Sequence, residues 1–235
     1  MLVSNDFSIR MVGYLIPQVP GDKSEVYDHT FESVMKKIGQ QQVFIDISRC
    51  SKLTTLPFRC FQSCKSLLYV DVSYTKLNDL RSLCDHLYDL RALNVSGLEV
   101  MDSLYHPIAK LPSLEVLTIR NCNISKIDFI ENLSCLRSLD LGCNTVTTDP
   151  ILHIRNLTRL QELVLDSTKF PIETWGEPVF TWANIDVFDH LSSLKLLNIS
   201  ETALEQFQVQ IKQRIDRNIL METESRRLVA YVALI

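Results

Sequence analysis

Five histidines and seven cysteines have the most chemistry to offer, and their spacing decides whether they offer any. Cys60 and Cys64 lie four apart and Cys84 twenty further on, which begins a zinc pattern. No second pair of Cys or His follows at the spacing that would close a tetrahedral site. The two thiols instead suit the buried side of a short connecting segment, where free cysteine behaves as a small hydrophobe. His86 in DHLYDLRALNVS and His190 in DHLSSLKLLNIS occupy one slot of two similar stretches, and other stretches fill it with Lys110, Asn132 and Asn156. A slot that accepts His, Lys and Asn is a polar surface position rather than a catalytic base. His29, His106 and His153 have no Ser or Cys arranged with them as nucleophile and base. The six glycines form neither a GxxxxGK[ST] nor a GxGxxG loop, so the sequence offers no phosphate cradle. These residues predict no catalytic centre, no metal site and no cofactor.

Leucine is what organises the chain: it supplies 34 of the 235 residues. Aligned on itself, the sequence repeats apolar-x-x-apolar-x-apolar-x-x-(Asn/Cys/Thr)-x-apolar. The clearest copy is Leu136, Leu139, Leu141, Asn144, Val146. Further copies begin at Leu67, Leu90, Leu114, Leu160 and Leu194, and a weaker first one runs Ile45, Ile47, Cys50, Leu53. From Leu67 onward the steps are 23, 24, 22, 24 and 34 residues. A period in the low twenties means a solenoid.

Within each copy the LxL core alternates at strand period, so Leu139 and Leu141 point inward while Ser138 and Asp140 point outward. Strands stacked one per repeat make a parallel sheet. At the ninth position Asn, Cys or Thr turns inward and hydrogen-bonds backbone groups left open by the bend. Asn144 is the one asparagine there; Cys50, Cys122, Thr75, Thr168 and Thr202 offer fewer bonds and Leu98 none, which predicts weaker junctions. Residues 1–41 lack the repeat and form an N-terminal cap, with Phe31, Val34, Met35 and Ile38 at helical spacing. Residues 42–204 hold about seven repeats, with an insertion near 171–186. Residues 205–235 read as a C-terminal helical cap or docking tail, from Phe207, Ile211, Ile215 and Ile219 at intervals of four. The fold expected is α/β: a curved solenoid with a parallel sheet on its concave face, short helices or turns on its convex face, and a cap at each end.

These copies resemble the leucine-rich repeat family, whose consensus LxxLxLxxNxL they match about seven times. The stretch LEVLTIRNCNISKIDFIENLSCLRSLDL is similar to the short-repeat class of the protein-phosphatase regulator and axonemal light chains, and PFRCFQSCKSL to repeats with an AFxxCxSL element. The resemblance implies a non-catalytic protein-interaction scaffold, a subunit of a larger complex, whose partners meet the concave sheet. A phosphatase or ubiquitin-ligase regulatory subunit is an alternative within it.

Composition agrees with a globular chain: 27.0 kDa, 46% hydrophobic, 22% charged and 8% aromatic. The net charge of −4 and a pI near 5.7 disfavour nucleic acid as the main partner, although concave arginines meeting phosphate remain an alternative reading. An odd number of cysteines and an opening without signal-peptide pattern predict an intracellular protein. No apolar run reaches the roughly 18 residues of a membrane span. The five Asn-x-Ser/Thr triplets, at Asn94, Asn123, Asn132, Asn156 and Asn198, then carry no glycan.

The register also names the candidate binding surface. Outward strand positions give Phe44, Tyr69, Asp71, Asn94, Asp140 and Glu162, and flanking positions add Tyr74, Arg91, Arg120, Arg137 and Asp166. Tyr and Arg recur among interface hot spots; any of these residues is otherwise solvated sheet. Trp175 and Trp182, in the insertion, either reach a partner or plug the longer repeat. The uncharged octamer LVAYVALI at 228–235 either folds back over the last repeat or docks on a partner.

Overall fold

The computed structural model describes residues 26–38, 43–62, 64–98, 102–146, 150–169, 184–215 and 219–223. Each repeat contributes one three-residue strand: β1 Phe44–Asp46, β2 Tyr69–Asp71, β3 Ala92–Asn94, β4 Val116–Thr118, β5 Ser138–Asp140, β6 Glu162–Val164, β7 Leu196–Asn198 and β8 Leu220–Glu222. They form a single parallel sheet in sequence order. Equivalent positions pair across it, so that Phe44 lies beside Tyr69, Tyr69 beside Ala92 and Ser138 beside Glu162. Consensus leucines such as Leu90, Leu114, Leu117, Leu136, Leu139 and Leu141 are fully buried beneath the sheet.

Short helices return the chain on the convex side: α2 Arg81–Cys84, α3 Pro150–Ile154 and 3₁₀ turns at 58–60, 102–104, 106–110, 128–132, 184–190 and 203–207. A repeat of 22 to 24 residues leaves little chain for α-helix, and a 3₁₀ turn advances about 2.0 Å per residue against about 1.5 Å. Where the chain leaves strands β1 to β7, position eight is left-handed: Arg49, Tyr74, Gly97, Asn121, Cys143, Ser167 and Glu201 all have φ between 54° and 67°. Only one of the seven is glycine, so the strain is tolerated. The position-eight N–H extends the ladder by donating to the next repeat, as Tyr74 does to the Ser96 carbonyl at 2.7 Å and Cys143 to that of Asp166 at 2.8 Å.

The ninth position works as its chemistry predicts. Asn144 Oδ1 accepts the N–H groups of Cys122 and Ile124 at 3.0 and 3.2 Å, and its Nδ2 donates to the carbonyls of Ile119 and Leu141 at 2.6 and 2.7 Å. Thr75, Thr168 and Thr202 each donate one bond, to Val72, Leu141 and Ile199, and the Cys122 thiol one to Val95. The junction at Leu98 departs from expectation. Buried Tyr105, outside the repeat pattern, donates its hydroxyl to the Leu98 carbonyl at 2.8 Å and stacks on Phe129. A neighbouring aromatic therefore supplies the bond that leucine cannot.

At the N-terminal end α1 spans Asp28–Ile38 and buries Phe31 and Met35, with Phe31 against Phe61. The C-terminal end corrects the sequence reading. Helix α4 covers only Gln208–Arg214, Ile215 is already extended, and the chain then forms strand β8 rather than helix through Ile219. The edge of β7 decides this. Leu220 N–H donates to the Lys195 carbonyl at 2.9 Å and the Glu222 carbonyl accepts from Ile199 at 3.0 Å, so a strand satisfies groups that a helix would leave open. Ile219 still packs against the core. Trp175, Trp182 and the 228–235 octamer lie outside the described residues.

Candidate protein-interaction surface

Position five, the last residue of each strand, is the first outward column. Asp46, Asp71, Asn94, Asp140 and Asn198 each accept the backbone N–H two residues on, at 2.8 to 3.0 Å. These are Asx turns that end the strands. Asp71, Asn94 and Asp140, chosen as partner contacts, thus have structural work of their own. A recurring Asp/Asn-x-Ser/Gly signal in the sequence carried that information and was missed. It also accounts for the triplets at Asn94 and Asn198, whose Ser96 and Ser200 provide the N–H.

Position three is less open than a solvated column. Ala92, Val116 and Ser138 are buried, Ser138 with its hydroxyl on Glu162 Oε2 at 3.1 Å. On a concave face neighbouring side chains converge, so small residues are covered by larger ones beside them. Burial pushes the Glu162 carboxyl up, against the Ser138 bond and the Lys195 charge.

Each of the three concave arginines meets a carboxylate. Arg120 reaches across Gly142 to Asp166 and meets it with both terminal nitrogens at 2.6 and 2.5 Å, while Nη1 also contacts Asp140 at 3.1 Å. A Cβ on Gly142 would stand 2.1 Å from that nitrogen, so glycine is required for the crossing. The Asp166 hydrogen bonds, reinforced by the charges of Asp140 and Asp166 and opposed by burial, raise the guanidinium pKa further. Arg91 and Arg137 sit on either side of Glu115, at 3.2 and 3.4 Å. Each arginine thus already has a carboxylate partner on this face.

Aromatic surface gathers over the first two repeats. Phe44 and Tyr69 lie beside each other with ring centroids 6.1 Å apart. Arg49 stacks over the Tyr74 ring at 5.3 Å, and Tyr74 lies against Gly97, where a Cβ would come within 2.3 Å of the ring. Tyr74 is 45% exposed. Asp71 completes this corner with Ser73 and Asn94 as hydrogen-bond partners. Its carboxyl is pushed up, first by burial and also by Asp46, and the hydrogen bonds do not fully offset this.

The remaining reactive groups stay dispersed. His86 bonds the Ser82 carbonyl, His153 pairs with Glu131 and His190 is exposed. All seven cysteines are free, and Cys60 and Cys64 are buried as expected. Burial pushes the Cys60 thiol up to about 11, helped by Glu32 and Cys64. No cluster of three or more metal-ligating side chains occurs among the described residues.

The fold and this face define a class: a curved α/β solenoid with an open parallel concave sheet. Residues 112–153 match the family model for two copies of the leucine-rich repeat. An uncharacterized leucine-rich repeat-containing protein of Schizosaccharomyces pombe is 26% identical over 135 residues, which is 55% of this chain and 21% of that protein. The chain thus spans about a fifth of the length of that relative. Among solved structures, an internalin C2 of Listeria monocytogenes superposes with a TM-score of 0.63 at 15% identity, covering 86% of this chain and 78% of that one. A leucine-rich repeat protein of Leptospira interrogans gives 0.62 at 21%, covering 82% and 45%. The chain carries leucine-rich repeats and is similar to leucine-rich repeat proteins, which generally mediate protein–protein interaction.

Proposed function

We propose that the chain is a non-catalytic scaffold, a subunit of a larger intracellular complex, that holds a protein partner against its concave sheet. The observation that carries this reading is the sheet itself. Eight strands in register hold half-buried aromatic, charged and amide side chains at fixed spacing on one uninterrupted face, and the packed convex side stiffens it. A preorganised surface binds without first ordering itself. Dispersed histidines support the non-catalytic part, and seven free cysteines the reducing compartment. No helix among the described residues is long and apolar enough to cross a membrane. Regulation of a phosphatase or ubiquitin ligase is one form this scaffold role could take.

The test is affinity purification of the tagged full chain with mass spectrometry, beside two double variants. Tyr69→Asp with Leu196→Asp alters the concave face; Tyr88→Asp with Leu152→Asp alters exposed residues off it. A stoichiometric partner is expected with wild type and the second variant and lost with the first. A partner lost only with the second variant overturns the concave reading.

A further inference from the structure

Resting on the concave-binding reading, we propose that the N-terminal corner of the sheet seats a lysine or arginine side chain of an extended partner segment. The aliphatic stem lies on the Phe44–Tyr69 pair and the charged head meets Asp71 beside Asp46.

The charge of Asp71 is surplus to the fold. Asn94 and Asn198 make the same turn at the same position with neutral amides, at 3.0 Å to Ser96 and Ser200. Asp140 and Glu115 are different, since their charges meet Arg120 and Arg91. The hydrogen-bond partners of Asp71 are all neutral: Ser73 through its N–H and hydroxyl, and Asn94 through Nδ2 at 3.0 Å. Its in-register neighbour is another carboxylate, Asp46, and like charges placed opposite each other on adjacent strands are destabilising. Among the described residues no cation is bonded to this half-buried carboxylate.

The aromatic pair says which cation. Phe44 and Tyr69 stand on the same face two residues before Asp46 and Asp71, about 6.6 Å along the strands. A ring surface followed by paired carboxylates matches a side chain with an apolar stem and a charged tip, and ring faces themselves attract cations. Position five carries no cation from Asp46 to Glu222, so nothing on that column competes. An acidic or wholly aliphatic segment would desolvate Asp71 further without a counter-charge.

To test this, random peptides displayed on phage are selected on the immobilised full chain. Recovered sequences are measured as labelled synthetic peptides by fluorescence anisotropy. The targets are wild type, Asp71→Asn, Tyr69→Ala and Leu196→Ala, the last at the far end of the same face. Asp71→Asn retains the acceptor for the Ser73 N–H, and thermal unfolding of each variant checks the fold. The peptides are expected to carry Lys or Arg beside apolar residues and to weaken with salt. Their affinity is expected to fall about tenfold or more in Asp71→Asn and Tyr69→Ala but not in Leu196→Ala. Peptides lacking basic residues but sensitive to concave substitutions, or basic ones indifferent to Asp71→Asn, overturn this proposal and leave the concave reading standing. Failure to recover any peptide sensitive to a concave substitution counts against both.

Discussion

Single polar residues with several partners set the local strength of this solenoid. Asn144, 2% exposed, joins the turns of two repeats through hydrogen bonds to five backbone groups. Asn144→Leu keeps roughly the volume and leaves buried N–H and carbonyl groups unpaired, each costing about 1–3 kcal/mol. The variant is expected to lose at least about 2 kcal/mol in urea unfolding; an unchanged midpoint would show that neighbouring water or rearranged backbone replaces the amide. Two aspartates shift in opposite directions. Asp71 is raised by burial with Asp46 beside it, whereas Asp28 is lowered because four bonds from Thr54 and Thr55 outweigh the burial that would raise it.

Asp28 belongs to the docking of α1 onto the first repeat. Its Oδ1 accepts the N–H groups of Thr54 and Thr55 at 2.8 and 3.2 Å, and Oδ2 accepts their hydroxyls. A carboxyl whose folded pKa is depressed adds stability that is complete above its unfolded value, about 3.9. That contribution fades as pH falls through the lower folded value. Hydrogen exchange over 28–38 should therefore speed up, after correction for intrinsic rates, below about pH 4. Asp28→Ala should show weakened protection at neutral pH already. Equal protection in wild type and variant would mean that Phe31 and Met35 alone hold the helix. Strand β8 shows the complementary rule at the other end, where an element forms because the edge before it needs partners.

Over the whole molecule, stability runs mainly along one dimension, since the sheet joins each repeat to its neighbours and the Arg120–Asp166 pair is a contact that spans two repeats. Leu139 lies in the middle with repeats on both sides, and Leu139→Ala is expected to cost about 2–5 kcal/mol. Met221, half-buried in β8, packs against the core. Met221→Ala should loosen the end and leave the midpoint of the central repeats nearly unchanged, as followed by residue-resolved exchange in urea. Equal shifts throughout the chain would show full cooperativity instead.

The sequence by itself determined the period, the register and the core, because a solenoid is built from contacts whose spacing is local. Leu139 and Leu141 face inward whatever lies outside, and Asn144 declares its own role by type and position. The helix at 28–38 was legible for the same reason. What lay beyond local pattern was which groups from different repeats meet. Arg120 and Asp166 are 46 positions apart and come together because Gly142 leaves space between them. Tyr105 rescues Leu98 from outside the repeat, and β8 replaces a helix because β7 offers an edge. Only the tertiary structure decided which outward charges are already paired within the fold, since pairing depends on distance across the curved sheet and not on spacing along the chain.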